Sequence, residues 1–150
     1  MQKRNIKLKK MKKLFTLVLL VVAMTTNSQT IFGKWNSTND DTGKIDSVVE
    51  VYEKNGKAFA KIIEIKDKNR QNAVCEECSG KNKNKPILGL EILSGLKKDD
   101  DEWSGGKILD PRNGKIYKCF IKLEGPNKLK LRGYIGFSLL GKTKYWTRAE

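Results

Sequence analysis

The chain has 150 residues, with 31 Lys and Arg against 17 Asp and Glu, and no histidine. Lacking histidine, it is excluded from His-based triads, histidine acid–base catalysis and His-ligated metal sites. The length suits one domain, and an excess of positive charge bears on solubility and attraction to anionic surfaces, not on fold.

The N-terminus stands apart from the rest. Met1–Lys13 holds seven basic residues and no acid, and Leu14 to Met24 is apolar apart from Thr16. Thr26 and Ser28 then place small residues three and one positions before Gln29. Together these features read as a secretory signal peptide over residues 1–28, cut before Gln29. The alternative is an uncleaved anchor, but the apolar run is short for a bilayer span. No cysteine lies near the cleavage region, which argues against a lipid anchor. The expectation is an exported protein, periplasmic or extracellular, touching a membrane only through the signal before cleavage. Loss of that segment leaves 24 basic residues against 17 acids. Spread mostly as lysine along strands and loops, this surplus reads as a solvated surface. No motif joins it to aromatic stacking positions, so nucleic acid is not an expected partner.

Residues 29–150 read as one β domain. Ile31–Asn36 is a first strand and Ser37–Lys44 a polar loop. Ser47–Glu53 alternates as a second strand, and Asn55-Gly56 marks a tight hairpin into Ala58–Ile65. Lys66–Lys85 is a polar insertion without apolar periodicity. Ile87–Leu96, interrupted by Gly89 and Gly95, is read as a bent strand in preference to a short helix. Lys97–Glu102 is a charged turn. Trp103–Leu109, Ile116–Glu124, Lys128–Ile135 and Gly141–Arg148 follow as strands, with Tyr117, Cys119, Ile121 and Leu123 alternating against Lys118 and Lys122. A period of two puts one face in the core and one in water. Eight such strands in sequence remove their exposed edges by closing into an antiparallel up-and-down barrel.

Gly33-Lys34-Trp35 near the start and Trp146-Thr147-Arg148 near the end specify the type of barrel. A Gly-x-Trp on the first strand with an Arg from the last is the closure of lipocalin-like barrels: the indole plugs the narrow end and the guanidinium stacks on it. Gly33, Trp35 and Arg148 are the candidate closure residues. From Ile31 to Arg148 the chain also resembles the bacterial family called domain of unknown function 2147. The resemblance rests on Gly33-Lys34-Trp35, Pro86-Ile87-Leu88-Gly89-Leu90, Trp103-Ser104-Gly105-Gly106-Lys107-Ile108, Asp110-Pro111 with Asn113-Gly114-Lys115, Leu131-Arg132-Gly133-Tyr134-Ile135-Gly136 and Trp146-Thr147-Arg148. It implies a lipocalin-like all-β barrel of the cell envelope, without an established activity.

Candidate chemistry is sparse. Asp99, Asp100 and Asp101 read as solvation in a charged turn, and Asp110 before Pro111 as a turn starter bonding its own backbone. No catalytic constellation, metal site or cofactor is expected. In Cys75-Glu76-Glu77-Cys78, two glutamates between the sulfurs and the lack of a βαβ setting argue against thioredoxin-like exchange. A zinc site would have only Cys119 and carboxylates to add. A structural disulfide in an oxidising compartment is the plain reading. Cys119 is a buried free thiol or a partner for Cys75 or Cys78. The alternation points Trp35, Val49, Val51, Tyr117, Ile121, Leu131 and Tyr145 inward as a ligand lining, with Gly33 and Gly133 leaving space on the same faces. Two functions fit an eight-stranded barrel. One is binding of a small apolar or anionic amphiphilic ligand, and the other is a structural or interaction role with a packed interior.

Overall fold

The computed structural model describes residues 29–150; the segment read as a signal peptide lies outside them. Eight strands form the barrel: β1 (Gly33–Thr38), β2 (Ile45–Lys54), β3 (Lys57–Ile65), β4 (Glu91–Asp99), β5 (Glu102–Asp110), β6 (Lys115–Leu123), β7 (Lys128–Tyr134) and β8 (Gly141–Arg148). Each pairs antiparallel with its sequence neighbour, and β1 pairs with β8 to close the ring. Among the described residues the buried apolar cluster runs from Ile31 to Trp146.

Local chemistry explains the hairpins. Asn55 and Gly56 both take positive φ, 53° and 72°, the two-residue geometry that matches strand twist. The charged turn is shorter than its sequence suggests. Asp99 already pairs with Glu102, leaving Asp100 (φ 53°) and Asp101 as the turn. Between β4 and β5 the backbones come so close that a Cβ on Gly106 would lie 2.4 Å from the Ser94 carbonyl oxygen. Only glycine permits that approach.

Two strands start later than the sequence reading places them, and the other starts agree to within two residues. β1 begins at Gly33, because Ile31 and Phe32 spend their carbonyls on Trp35 and Arg148 instead of a neighbouring strand. β4 begins at Glu91; Ile87 to Leu90 end the preceding segment, where the Gly89 amide donates to the Ile62 carbonyl at 2.7 Å.

Segment 66–90 is more ordered than its polar composition indicates. It holds two 3-10 turns (Lys68–Arg70 and Gly80–Asn82), a Val74–Pro86 bridge and a Cys75–Cys78 disulfide. It contributes Cys75, Cys78, Ile87 and Leu90 to the core cluster. A handful of anchors with irregular spacing has no period for a sequence reading to detect.

Up-and-down connectivity sorts the loops. The 55–56, 100–101 and 124–127 turns, with the start of β1 and the end of β8, lie at one end. Loops 39–44, 66–90, 111–114 and 135–140 lie at the other.

Candidate functional site

At the first end the barrel is plugged. Trp35 is fully buried and its indole N–H donates to the Ile31 carbonyl at 2.8 Å. Arg148, its direct partner across the β1–β8 seam, lays its guanidinium 3.8 Å from the indole ring centroid. The same guanidinium donates to the carbonyls of Phe32 (2.9 Å), Thr30 (2.8 Å) and Pro126 (3.2 Å). One cation therefore ties the chain before β1 to the β6–β7 turn. Gly33 does not enlarge the interior, as the alternation suggests. It takes φ +118°, and a Cβ there would sit 3.2 Å from an Arg148 nitrogen, so its smallness serves the stacked guanidinium. Above this plug Val51, Leu96, Ile121 and Leu129 pack the lower interior.

The other half of the barrel is hollow. A cavity of about 560 Å³ is lined by Val49, Ile62, Ile92, Tyr117, Leu131 and Trp146, and reaches the loops of the second end. Gly133 lines it too, with Ile108 and Tyr117 at ordinary contact distance from where its Cβ would be. Of the ligand lining read from the sequence, Val49, Tyr117 and Leu131 line this cavity, whereas Trp35, Val51 and Ile121 belong to the packed half.

Tyr145 faces outward: it is 42% exposed, with Lys128 Nζ 4.1 Å above its ring. The β7–β8 register pairs Tyr145 with Lys130, and Trp146 with the buried Leu129. Trp146, only 2% exposed, is thus the aromatic that β8 turns inward. Adjacent aromatics in Lys-Tyr-Trp-Thr give alternation two equal phases, and only the neighbouring strand selects one. Trp146 has a further property. Its indole N–H is buried and has no acceptor among the described residues, an unusual condition for such a group.

Charge gathers at the mouth. Arg70, Arg112, Lys142 and Lys144 line it, with Asp46 and Asp110 as the acids. Lys142 and Lys144 reach Asp40 at 2.5 and 3.0 Å, and Arg112 grips Asp110 through both oxygens at 3.0 and 2.9 Å. Burial opposes ionisation of Asp40, but hydrogen bonds from Lys142 and Lys144 outweigh it and hold the carboxyl below its usual range. Asp110 follows the same balance, with burial overcome by Arg112. Asp110 also accepts from the Arg112 backbone amide at 3.0 Å, the turn-starting bond its place before Pro111 suggests.

The disulfide belongs to the cover of this mouth. Cys75 and Cys78 are bridged and buried, and Cys75 Sγ lies 3.5 Å from the Pro111 carbonyl oxygen. Cys119 is separate from them: a buried free thiol, pushed up to about 12 by burial. Alkylation should therefore label no thiol in the native protein, one after denaturation, and all three after denaturation with reduction. Labelling of Cys75 or Cys78 before reduction would contradict the bridge. A loop this short gains little entropy from cross-linking, so the Cys75→Ser/Cys78→Ser protein should still fold, losing about 1–2 kcal/mol in a denaturant melt.

Residues 33–148 match the model of a family described as "Uncharacterized protein conserved in bacteria (DUF2147)". The chain belongs to the DUF2147 family. Among solved structures it is similar to protein HP1028 from Helicobacter pylori, described as belonging to the lipocalin family. The identity is 25%, the TM-score is 0.72, and the match covers 82% of this chain and 85% of that one. None of the curated proteins matches the chain. This DUF2147 barrel is thus lipocalin-like in strand number, pairing and closure, and divides between a plug and a cavity.

Proposed function

We propose that the cavity binds one small amphiphile, with its apolar part against Val49, Ile62, Ile92 and Leu131 and an anionic head at Arg112, Lys142 and Lys144. The observation that carries this reading is Trp146. A buried indole N–H without an acceptor, on the wall of a cavity of about 560 Å³, fits a cargo that brings its own oxygen acceptor. A volume in this range suits a single small ligand. The four cations at the mouth outnumber its three acids, Asp40, Asp46 and Asp110, which favours a carboxylate or phosphate head.

Binding, not catalysis, is the function we infer. A general acid at neutral pH needs a carboxyl shifted upward, whereas Asp40 and Asp110 are held ionised by their cations. Export to an oxidising envelope compartment agrees with the Cys75–Cys78 bridge and with the charged-then-apolar N-terminus.

Titration with medium-chain fatty acids and lysophospholipids tests the reading. Tryptophan emission should shift on binding, and the shift should vanish in Trp146→Phe. Leu131→Trp should fill the cavity and weaken binding at least about tenfold, the loss of one well-placed contact set. If no amphiphile changes emission or melting temperature, the barrel is a structural module with a half-empty interior.

A further inference from the structure

Among the described residues, the β7–β8 loop holds the most exposed of the large apolar side chains. Ile135, Phe137, Leu139 and Leu140 are 69%, 77%, 88% and 75% exposed. Scattered apolar residues on a surface are ordinary, but a contiguous group marks a contact surface. Nor is the loop slack. Arg132 donates to the carbonyls of Ser138 (2.5 Å) and Leu139 (3.0 Å) and to the Thr143 hydroxyl (2.7 Å). The Leu140 amide donates to the Phe137 carbonyl at 3.0 Å. The backbone is thus held in the form that keeps these side chains outward.

Position and charge indicate what they meet. Ile135 and Leu140 also line the cavity mouth, whereas Phe137 and Leu139 do not and project beyond it. Beside the loop, cross-strand pairing sets Lys107 opposite Lys118 and Lys118 opposite Tyr134, the residue before Ile135. Both lysines are exposed and make no ion pair among the described residues. Ile116, on the same strand as Lys118, adds a further exposed apolar side chain at this end. An apolar tip framed by free cations matches the boundary between acyl chains and anionic headgroups. A second copy is a poorer occupant. Two such tips would set Lys107 and Lys118 of both copies together, and a six-residue loop falls well short of the roughly 20–30 residues a side of stable interfaces.

We propose that loop 135–140 docks the barrel on an anionic lipid surface by inserting Phe137 and Leu139, with Lys107 and Lys118 on the headgroups. Docking stands on the loop and these two lysines, independently of any cargo. Its consequence, a cavity mouth facing the source of an amphiphile, rests on the binding reading above.

Flotation of the protein with phosphatidylcholine vesicles, with and without phosphatidylglycerol, tests it. The protein should float with the phosphatidylglycerol vesicles. The bound fraction should fall at least about tenfold in Phe137→Ser/Leu139→Ser, because both apolar anchors are removed. Lys107→Gln/Lys118→Gln should weaken binding to anionic vesicles and make it less sensitive to salt. Melting temperature and cavity titration should be unchanged in the loop variant, since neither side chain lines the cavity. Failure to float, or undiminished flotation of the loop variant, overturns docking. So would a light-scattering mass showing a dimer that the loop variant abolishes, which would assign the tip to a second copy. Flotation with no ligand response would leave docking standing and remove the cargo.

Discussion

Trp35→Ala should destabilise the barrel by about 3–5 kcal/mol, the usual cost of truncating a buried Trp. Arg148→Ala should cost about 2–4 kcal/mol, because several carbonyls lose a charge-assisted donor. The double variant should fall well short of the sum. Trp35 and Arg148 are one construction: the ring is the platform for the guanidinium at 3.8 Å, and both sit on the same seam pair. That seam is thin, with only Trp35–Arg148 and Asn36–Thr147 paired between β1 and β8. The stacked arginine adds bonds from outside the ladder, to Thr30, Phe32 and Pro126. Arg148→Lys should recover little, since a compact ammonium neither stacks as a plane nor reaches those carbonyls at once. Denaturant melts of the four proteins give the coupling energy directly. Strict additivity would mean that ring and guanidinium act independently.

The second large effect is expected at Gly114, far from the plug. Its φ is +68°, and a Cβ there would fall 1.8 Å from the Glu77 carbonyl oxygen. The β5–β6 turn and the disulfide turn are therefore pressed backbone to backbone. Gly114→Ala combines an unfavourable backbone with a collision that no side-chain rotation relieves, a cost of about 2–5 kcal/mol. It should appear locally. The amides of Cys75, Asn84 and Ile87, bonded within segment 66–90, should exchange faster, while those of β6 and β7 keep their protection. Because Ala73 and Ile87 also line the cavity, a loosened cover should speed both entry and release of a bound amphiphile. Unchanged exchange in segment 66–90 would show that the two turns are not mutually supported.

Much of the architecture was legible because strands carry their own signals. Alternation in Ile116–Glu124 and Lys128–Ile135, the Asn55-Gly56 turn and the paired Gly33-x-Trp35 and Arg148 led to the eight-stranded, plugged barrel that the structure shows. The Cys75–Cys78 pairing was readable too, although Cys119 remained a competing partner until its burial on β6 separated it. The cavity was less legible. Alternation correctly turned Val49, Leu131 and Tyr117 inward. It could not tell how far along the barrel each sits, so residues of the packed half, Trp35, Val51 and Ile121, were grouped with them.

Strand count, strand order, hairpin chemistry and the closing pair were all legible in the chain alone. These depend on neighbours in the chain or on a short motif whose residue types fit one packing arrangement. The phase of β8 came from the folded sheet, where cross-strand pairing with Leu129 and Lys130 turns Trp146 in and Tyr145 out. Tertiary packing alone brought segment 66–90 onto the 111–114 turn, a contact made by backbone atoms of Glu77 and the missing side chain of Gly114. It alone set the apolar 135–140 loop beside the mouth and the lysines of β5 and β6 beside that loop. Such placements follow from register and from closure of the ring. Both are properties of the whole sheet and are absent from any single stretch of the chain.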